Sequence, residues 1–455
     1  MKKAKTVYVC NECGSESQKW MGQCPVCGAW NSFFEQKMPE ISEGDTRRRS
    51  SAADGKKAVP SRIGKITSGG TSRIDTGIGE FNRVLGGGLV PGSLTLIAGE
   101  PGIGKSTLIL QAASNIASMG SVLYASGEES EEQIKMRADR VCKDMDSLDL
   151  FILAETNIEI ILEAAKNMQP KLLIIDSIQT MYSEELESAP GSVSQVRQVG
   201  SLLMNLGKTL GIPIFIVAHV TKSGELAGPK IVEHLVDCVL DFTGERSGEL
   251  RILRAVKNRF GTTSEIGAFE MREEGLSQVE NLSASFLDGM AAASEGAVAT
   301  AVYEGTRPLL LEIQALTSQC PAGFPMRRGL GIDQGRLSMI IAVLEKKAGL
   351  NLYSTDVYAN VVGGFKPQGT STDLAVAMAI WSEKKGEALP KDLLAIGEIG
   401  LTGELRPVQN CDKILKEAER MGFKEVVLPA RNAEKLKGKF KLNLRGISNV
   451  KEALR

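Results

Sequence analysis

The sequence predicts an α/β protein with a mostly parallel central sheet, a small cysteine-rich module before it and a second α/β domain after it. Three observations carry this expectation. Short apolar runs recur at 94–98, 122–125, 150–153, 172–175, 212–218 and 238–242. Helical patterns at 107–119, 131–141, 158–168 and 193–210 separate the first five of them. Continuous apolar strands alternating with helices suit a parallel sheet covered on both faces. The third observation is a set of four cysteines within the first 27 residues, outside that pattern.

Composition supports this organisation. A chain of 455 residues suggests about three domains, and it can bury a core without disulfide staples. Apolar residues at 42% and charged residues at 24% exclude wholesale disorder. Lys and Arg number 54 against 55 Asp and Glu, a net charge of -1. Bulk charge therefore selects neither a nucleic-acid nor a membrane binder, and any such surface must be local. No stretch approaches the ~20 apolar residues of a membrane span. No apolar core of signal-peptide type precedes the first cysteines. A cytoplasmic location and no membrane partner are expected. The single cysteines Cys142, Cys238, Cys320 and Cys411 read as reduced thiols, mostly core filler. Composition shifts divide the chain into 1–36, a polar linker over 37–65, a core over 66–282, a joint of small residues over 283–296 and a last domain over 297–455.

The cysteine spacing is Cys10-x2-Cys13-x10-Cys24-x2-Cys27. Two thiolate pairs on tight knuckles can close a tetrahedral Zn2+ site with no open position, so a structural metal is expected. Gly14 and Gly28 follow the second cysteine of each pair, where a knuckle turn favours positive φ. So small a piece needs the metal for its folding energy. Trp20 and Trp30 are expected to pack around it.

The stretch Gly99-Glu100-Pro101-Gly102-Ile103-Gly104-Lys105-Ser106 fits G-x-x-x-x-G-K-S, between an apolar strand and a helix opening at Thr107. This is the setting of a phosphate-binding loop. Its glycines let backbone N–H groups surround phosphates, and the helix N-terminus adds positive potential. Lys105 is expected to reach the β- and γ-phosphates of ATP and Ser106 to hold Mg2+. Asp176 ends the apolar run Lys171-Leu-Leu-Ile-Ile, which places a carboxylate for magnesium at the sheet rim. In Gly127-Glu128-Glu129-Ser130, Glu128 is the candidate to polarise the attacking water, with Glu129 as the alternative. His219 ends the run 212–218.

These motifs resemble those of the RecA superfamily, above all in RIDTGIGEFNRVLGGGLVPGSLTLIAGEPGIGKST. The whole chain is similar to the bacterial RadA (Sms) family. The likeness includes Lys19-Trp20, Cys24-Pro25-Val26-Cys27, His219-Val-Thr-Lys222, Ala227-Gly228-Pro229-Lys230 and Lys257-Asn258-Arg259-Phe260-Gly261. The resemblance implies a RecA-like P-loop ATPase core and a homo-oligomeric ring, commonly a hexamer. It implies binding to single-stranded and branched DNA, work alongside the RecA recombinase, and helicase-like translocation in branch migration. His219 is then a γ-phosphate sensor, and the segment 221–230 a DNA-facing loop with Lys222 and Lys230 as phosphate contacts. Between 246 and 261 lie Arg246, Arg251, Arg254, Lys257 and Arg259 against one acid, Glu249. Such cations can reach a neighbouring subunit's γ-phosphate or track a DNA backbone. Arg251, Arg254, Lys257, Asn258 and Arg259 are accordingly DNA-contact candidates, with Lys257 and Arg259 also candidate catalytic groups.

Residues 297–455 resemble the proteolytic domain of Lon, through Gly369-Thr-Ser371-Thr-Asp, Gly397-Glu-Ile-Gly-Leu-Thr-Gly-Glu-Leu-Arg-Pro407 and Gly422-Phe-Lys-Glu-Val-Val-Leu-Pro429. Ser371 falls where the serine nucleophile lies. Asp412 falls where the lysine lies, with Lys413 one residue off. An aspartate cannot serve as an amine base, so a non-proteolytic scaffold that helps close the ring is expected. An ATP-dependent Lon-like protease and a nucleotide-switched binding module are the competing readings.

Overall fold

The computed structural model describes residues 6–10, 16–26, 28, 30, 32–37, 62, 72–142, 145–219, 229–244, 250–287, 290, 294–320, 324–367 and 369–454. They cluster into two units. The first comprises 1–243, 253–263 and 271–276. The second comprises 244–252, 264–270 and 277–455.

The N-terminal module is a small antiparallel sheet of β1 (Thr6–Cys10), β2 (Glu16–Ser17) and β3 (Phe33–Lys37), in the order β2-β1-β3. Cys10, Cys24 and Phe33 form its buried centre. With so little apolar surface to bury, this centre matches the expectation of a metal-dependent fold.

The core begins with α1 (Gly79–Leu85) and then alternates strand and helix: β4 (Leu94–Gly99), α2 (Lys105–Ala117), β5 (Val122–Ser126), α3 (Glu131–Val141), β6 (Leu150–Ala154), α4 (Ile158–Met168), β7 (Leu172–Asp176), α5 (Val193–Leu210), β8 (Ile214–His219), α6 (Pro229–Leu235) and β9 (Cys238–Gly244). The six strands from β4 to β9 pair in parallel, in the order β9-β4-β8-β7-β5-β6. All residues of β4, β5 and β7 are buried, as continuous apolar runs demand. The run expected over 212–218 starts two residues late as a strand, because Pro213 has no N–H to give to a ladder. Three further strands, β10 (Leu250–Asn258), β11 (Ile266–Arg272) and β12 (Gly275–Gln278), complete the sheet order β12-β11-β10-β9.

Helix boundaries follow local chemistry. Ser130 caps α3 in a reciprocal pair with Gln133, Asn157 caps α4 and Ser192 caps α5. Each side chain satisfies backbone N–H groups that the first turn leaves open. Gly211 ends α5 at φ 71, a left-handed conformation that costs glycine little.

In the second unit, the expected joint over 283–296 includes a packed helix, α7 (Leu282–Leu287), with Leu282 and Phe286 buried. The unit continues with β13 (Ala297–Glu304), β14 (Arg307–Gln319), β15 (Arg327–Leu330), α8 (Gln334–Val343), β16 (Thr355–Val361), α9 (Asp373–Lys385), β17 (Leu393–Ala395), β18 (Glu398–Ile399), β19 (Leu405–Arg406), α10 (Cys411–Arg420), β20 (Glu425–Pro429), α11 (Ala430–Leu436), β21 (Asn443–Ile447) and α12 (Val450–Ala453). Seven strands form one mixed sheet, in the order β15-β16-β14-β13-β17-β20-β21. Among the described residues no helix is long and apolar enough to cross a membrane.

Candidate functional site

The parallel order puts β4 between β8 and β9, so Gly99 pairs with His219 on one side and Phe242 on the other. The chain leaving β4 must turn sharply into α2. Gly102 and Gly104 make that turn at φ 79 and 111. A Cβ on Gly99 would sit 2.5 Å from the Phe242 carbonyl oxygen, and one on Gly104 2.7 Å from Met271 Cε. Space around Gly102 is open, leaving its backbone accessible to a phosphate. Ile103 is buried beneath the loop, whereas Glu100 and Pro101 face outward.

Lys105 is 3% exposed. Its ammonium donates to the carbonyls of Gly99 at 2.8 Å and Glu100 at 3.0 Å, and lies 3.2 Å from His219 Nδ1. Burial pushes its pKa down to about 8, against the opposing fields of Asp176 and Glu128. A cationic donor at Nδ1 requires the lone pair there, so the histidine proton sits on Nε2. That nitrogen lies 3.3 Å from Glu128 Oε2. The other Glu128 oxygen, Oε1, accepts from the Ser177 hydroxyl. The His219 hydrogen bond above all, aided by Ser177 and the Lys105 charge, holds the Glu128 carboxyl below its usual range. A line of contacts thus runs from the phosphate loop through His219 to the candidate base.

Asp176 ends β7 at the rim, 6% exposed, and its Oδ2 accepts from the Tyr124 hydroxyl on β5. Burial and the Asp176 charge drive the Tyr124 pKa well above its ordinary value, so the phenol stays a donor. Glu129 is differently placed. Its carboxylate pairs with Arg137 on α3, and its backbone N–H bonds the Ser126 hydroxyl at 3.0 Å. Between the two acids, Glu128 is the one joined to Lys105 through histidine. Gly102, Gly104, Lys105, Ser106, Thr107, Glu128, Glu129, Arg137, Asp176, His219 and Met271 enclose a cavity of about 230 Å³. Tyr124, Arg137, Ser177 and Met271 escape sequence reasoning. Tyr124 is the lone tyrosine in an apolar strand, a signal that a buried hydroxyl needs a partner. The others carry no local signal.

The donor set suits a magnesium nucleotide. An open backbone cradle, a buried amine, the hydroxyls of Ser106 and Thr107, and a rim carboxylate face one cavity. For zinc, Cys10 and Cys24 are both buried. Gly28, at φ 74, donates its N–H to the Cys24 carbonyl at 2.8 Å, the turn expected of a knuckle. Cys13 and Cys27 lie outside the described residues. Trp20 and Trp30 are 54% and 72% exposed, so neither packs inward as expected. The Trp20 indole N–H is held instead by the Phe33 carbonyl at 3.1 Å.

The candidate DNA contacts separate into groups. Lys222 lies outside the described residues, and so does the side chain of Lys230. Arg251 is 7% exposed and bonds its own neighbour's carbonyl, Leu250, at 3.0 Å. The Arg251 side chain is thus packed into the fold, unlike that of Arg259. Arg254 is half-buried, and its charge acts on Asp241. Asn258 is also structural in its contacts. It donates to the Val84 carbonyl at 3.1 Å and accepts from the Phe260 N–H at 2.9 Å. It thereby folds the 257–261 loop against α1. Lys257 donates to the Glu233 carbonyl at 2.6 Å, and Arg259, with a 55% exposed side chain, pairs with Asp237 at 3.2 Å. Neither lines the nucleotide cavity of its own chain.

In the second unit, Ser371 donates its hydroxyl to the Ala301 carbonyl at 3.2 Å. Lys413 donates to the Tyr303 hydroxyl at 2.6 Å, a contact that raises its pKa. A general-base amine needs the opposite shift. Asp412 is exposed.

Residues 65–225 match the family described as AAA domain, residues 8–35 the rubredoxin metal binding domain, and residues 338–432 subunit ChlI of Mg-chelatase. DNA repair protein RadA of Bacillus subtilis (strain 168) is 49% identical over 459 residues, covering 100% of this chain and 99% of that protein. Its counterpart in Pseudomonas aeruginosa is 47% identical over 435 residues, covering 96% and 95%. That of Streptococcus pyogenes serotype M1 is 46% identical over 454 residues, covering 100% and 99%. With near-identical coverage of both partners in each alignment, the chain belongs to the family of the DNA repair protein RadA.

Proposed function

We propose that the chain is a DNA-dependent ATPase of homologous recombination and repair. In this reading it acts as a homo-oligomeric ring, a hexamer, that moves along single-stranded DNA and promotes branch migration with the RecA recombinase. The observation that carries the reading is the contact chain Lys105–His219–Glu128. His219 ends β8, immediately before residues 220–228, and the Gln179 side chain holds its carbonyl at 3.3 Å. A change at the γ-phosphate position would alter the bonds of Lys105 and Glu128. It would therefore move the histidine at the root of the segment expected to face DNA.

Magnesium, when bound, would supply charge neutralisation for the phosphates. Ser106 and Asp176 would hold it, with Tyr124 fixing one Asp176 oxygen. Lys105 would exchange a carbonyl contact for phosphate oxygen. Glu128 would orient the attacking water and take its proton at Oε2. The hydrogen bond from His219 Nε2 would leave that carboxylate ionised beforehand. Lys257 and Arg259 fit a role toward a neighbouring subunit's nucleotide, or toward DNA, since they stand apart from the cavity of their own chain. The cysteine module is a zinc site held by Cys10, Cys13, Cys24 and Cys27. The C-terminal domain serves as a scaffold rather than a protease, because Ser371 gives its hydroxyl proton to a backbone carbonyl and the Lys413 amine is held protonated by Tyr303. Exposed Arg431, Lys435, Lys437, Lys439 and Lys441 give that domain a local basic surface.

The test is ATP turnover with and without single-stranded oligonucleotide. Stimulation in the wild type, lost in Lys105→Ala and impaired in Lys257→Ala, supports the reading. Turnover indifferent to DNA under all conditions refutes it.

A further inference from the structure

Arg137 carries no role in the reading above, yet it lines the nucleotide cavity beside Gly102, Ser106, Thr107 and Asp176. It stands on α3, just after the turn that presents Glu128 and Glu129. The Ser130–Gln133 capping box fixes the start of that helix. Helical side chains slant toward the N-terminus, and this one reaches back to the carboxylate of Glu129.

The charges around the cavity are unequal. Lys105 and Arg137 face Glu128, Glu129 and Asp176, an excess of one negative charge before any phosphate arrives. The three protons of Lys105 already have three acceptors: Gly99 O, Glu100 O and His219 Nδ1. Arg137 has five N–H donors, and its single hydrogen bond among the described residues goes from Nη2 to Glu129 Oε1. Glu129 Oε2 is buried without a partner. The pair is therefore one-sided, with donor capacity left over in the guanidinium and acceptor capacity left over in the carboxylate.

We propose that Arg137 is a phosphate-binding residue of this cavity, held in place by Glu129 and turning its free donors to the polyphosphate chain of a nucleoside triphosphate. The planar fork suits phosphate oxygens, which it can meet with two parallel bonds. Glu129 keeps the cation aimed at the cavity while the site is empty. The inference rests on the assignment of the cavity as an ATP site and extends it to a second cation supplied by the same chain.

Equilibrium binding of a fluorescent ATP analogue to the full chain, with magnesium, tests the assignment in Arg137→Gln, Arg137→Lys and Glu129→Gln. Thermal melting without nucleotide reports on folding. Arg137→Gln should weaken binding about tenfold or more, the scale of a lost charge-assisted contact. Arg137→Lys should recover part of that loss, because charge remains and the fork does not. Glu129→Gln should weaken binding clearly less than Arg137→Gln, since it loosens the guanidinium but leaves its charge and donors in the cavity. Equal weakening by Arg137→Gln and Glu129→Gln would mean that the pair only braces the turn, and the proposal would fall. It would also fall if Arg137→Gln or Arg137→Lys, melting as wild type does, bound the analogue with unchanged affinity. Failure of the wild type itself to bind would strike the ATP-site reading instead.

Discussion

Lys105 Nζ and His219 Nδ1 lie 3.2 Å apart although 114 residues separate them in the chain. Their contact makes the phosphate loop and the end of β8 one electrostatic unit. Because burial pushes the Lys105 pKa down to about 8, ATP affinity should decline as pH rises from 7 to 9, with proton uptake on binding at the upper end. Isothermal titration in two buffers of different ionisation enthalpy measures that uptake. The sign for stability is opposite. In the nucleotide-free protein the Lys105 pKa lies below its ordinary 10.5, so the unfolded chain holds more protons between about 8 and 10.5. This residue's contribution to stability therefore rises with pH across that window.

Glu128→Gln keeps the shape of the side chain and removes the proton acceptor. Turnover should fall by about 10²–10⁴-fold, the range for loss of a general base, while ATP affinity stays within a few-fold. Glu129→Gln should cost turnover much less, because Glu129 faces Arg137 and not His219. Single-turnover hydrolysis of saturating ATP separates the two.

Tyr124→Phe removes one hydroxyl and leaves the ring in its place in β5. Asp176 would lose the donor to its Oδ2 at a site 6% exposed. A stability loss of about 1–3 kcal/mol is expected for a buried carboxylate deprived of one hydrogen bond. The magnesium concentration for half-maximal turnover should rise, since the carboxylate is no longer held in one orientation. Urea unfolding and a magnesium titration of turnover check the two effects.

The cysteine module should contain about one zinc per chain, as a four-thiolate site requires. Cys24→Ser should release it and unfold residues 6–37, which have little apolar core of their own. Melting of the ATPase core should shift little. Metal analysis and amide hydrogen exchange of the N-terminal segment provide the readouts.

Much of the candidate site was legible in local spacing. The glycines and lysine of 99–106, the carboxylate closing β7 and the histidine closing β8 stand at strand ends, where periodicity stops and polar chemistry begins. Strand and helix identities followed from the same source, since apolar runs and caps are short-range properties. The basic run 246–261 was less transparent. Charge composition alone cannot distinguish the buried guanidinium of Arg251 from the exposed one of Arg259, because burial depends on which strand face meets the core.

From its own order of residues, this protein determined a doubled cysteine knuckle, a phosphate loop between strand and helix, and an acid at the rim of a later apolar strand. Each is a pattern over a few neighbouring positions and needs no distant partner to be recognised. Only the tertiary structure decided that Glu128 joins His219 while Glu129 joins Arg137, that Tyr124 serves Asp176, and that Ser371 gives its proton to a backbone carbonyl. Those choices depend on the sheet order β4-β8-β7-β5 and on angles of approach between elements far apart in the chain. Such long-range closures arise from the packing of whole layers, which no local spacing encodes.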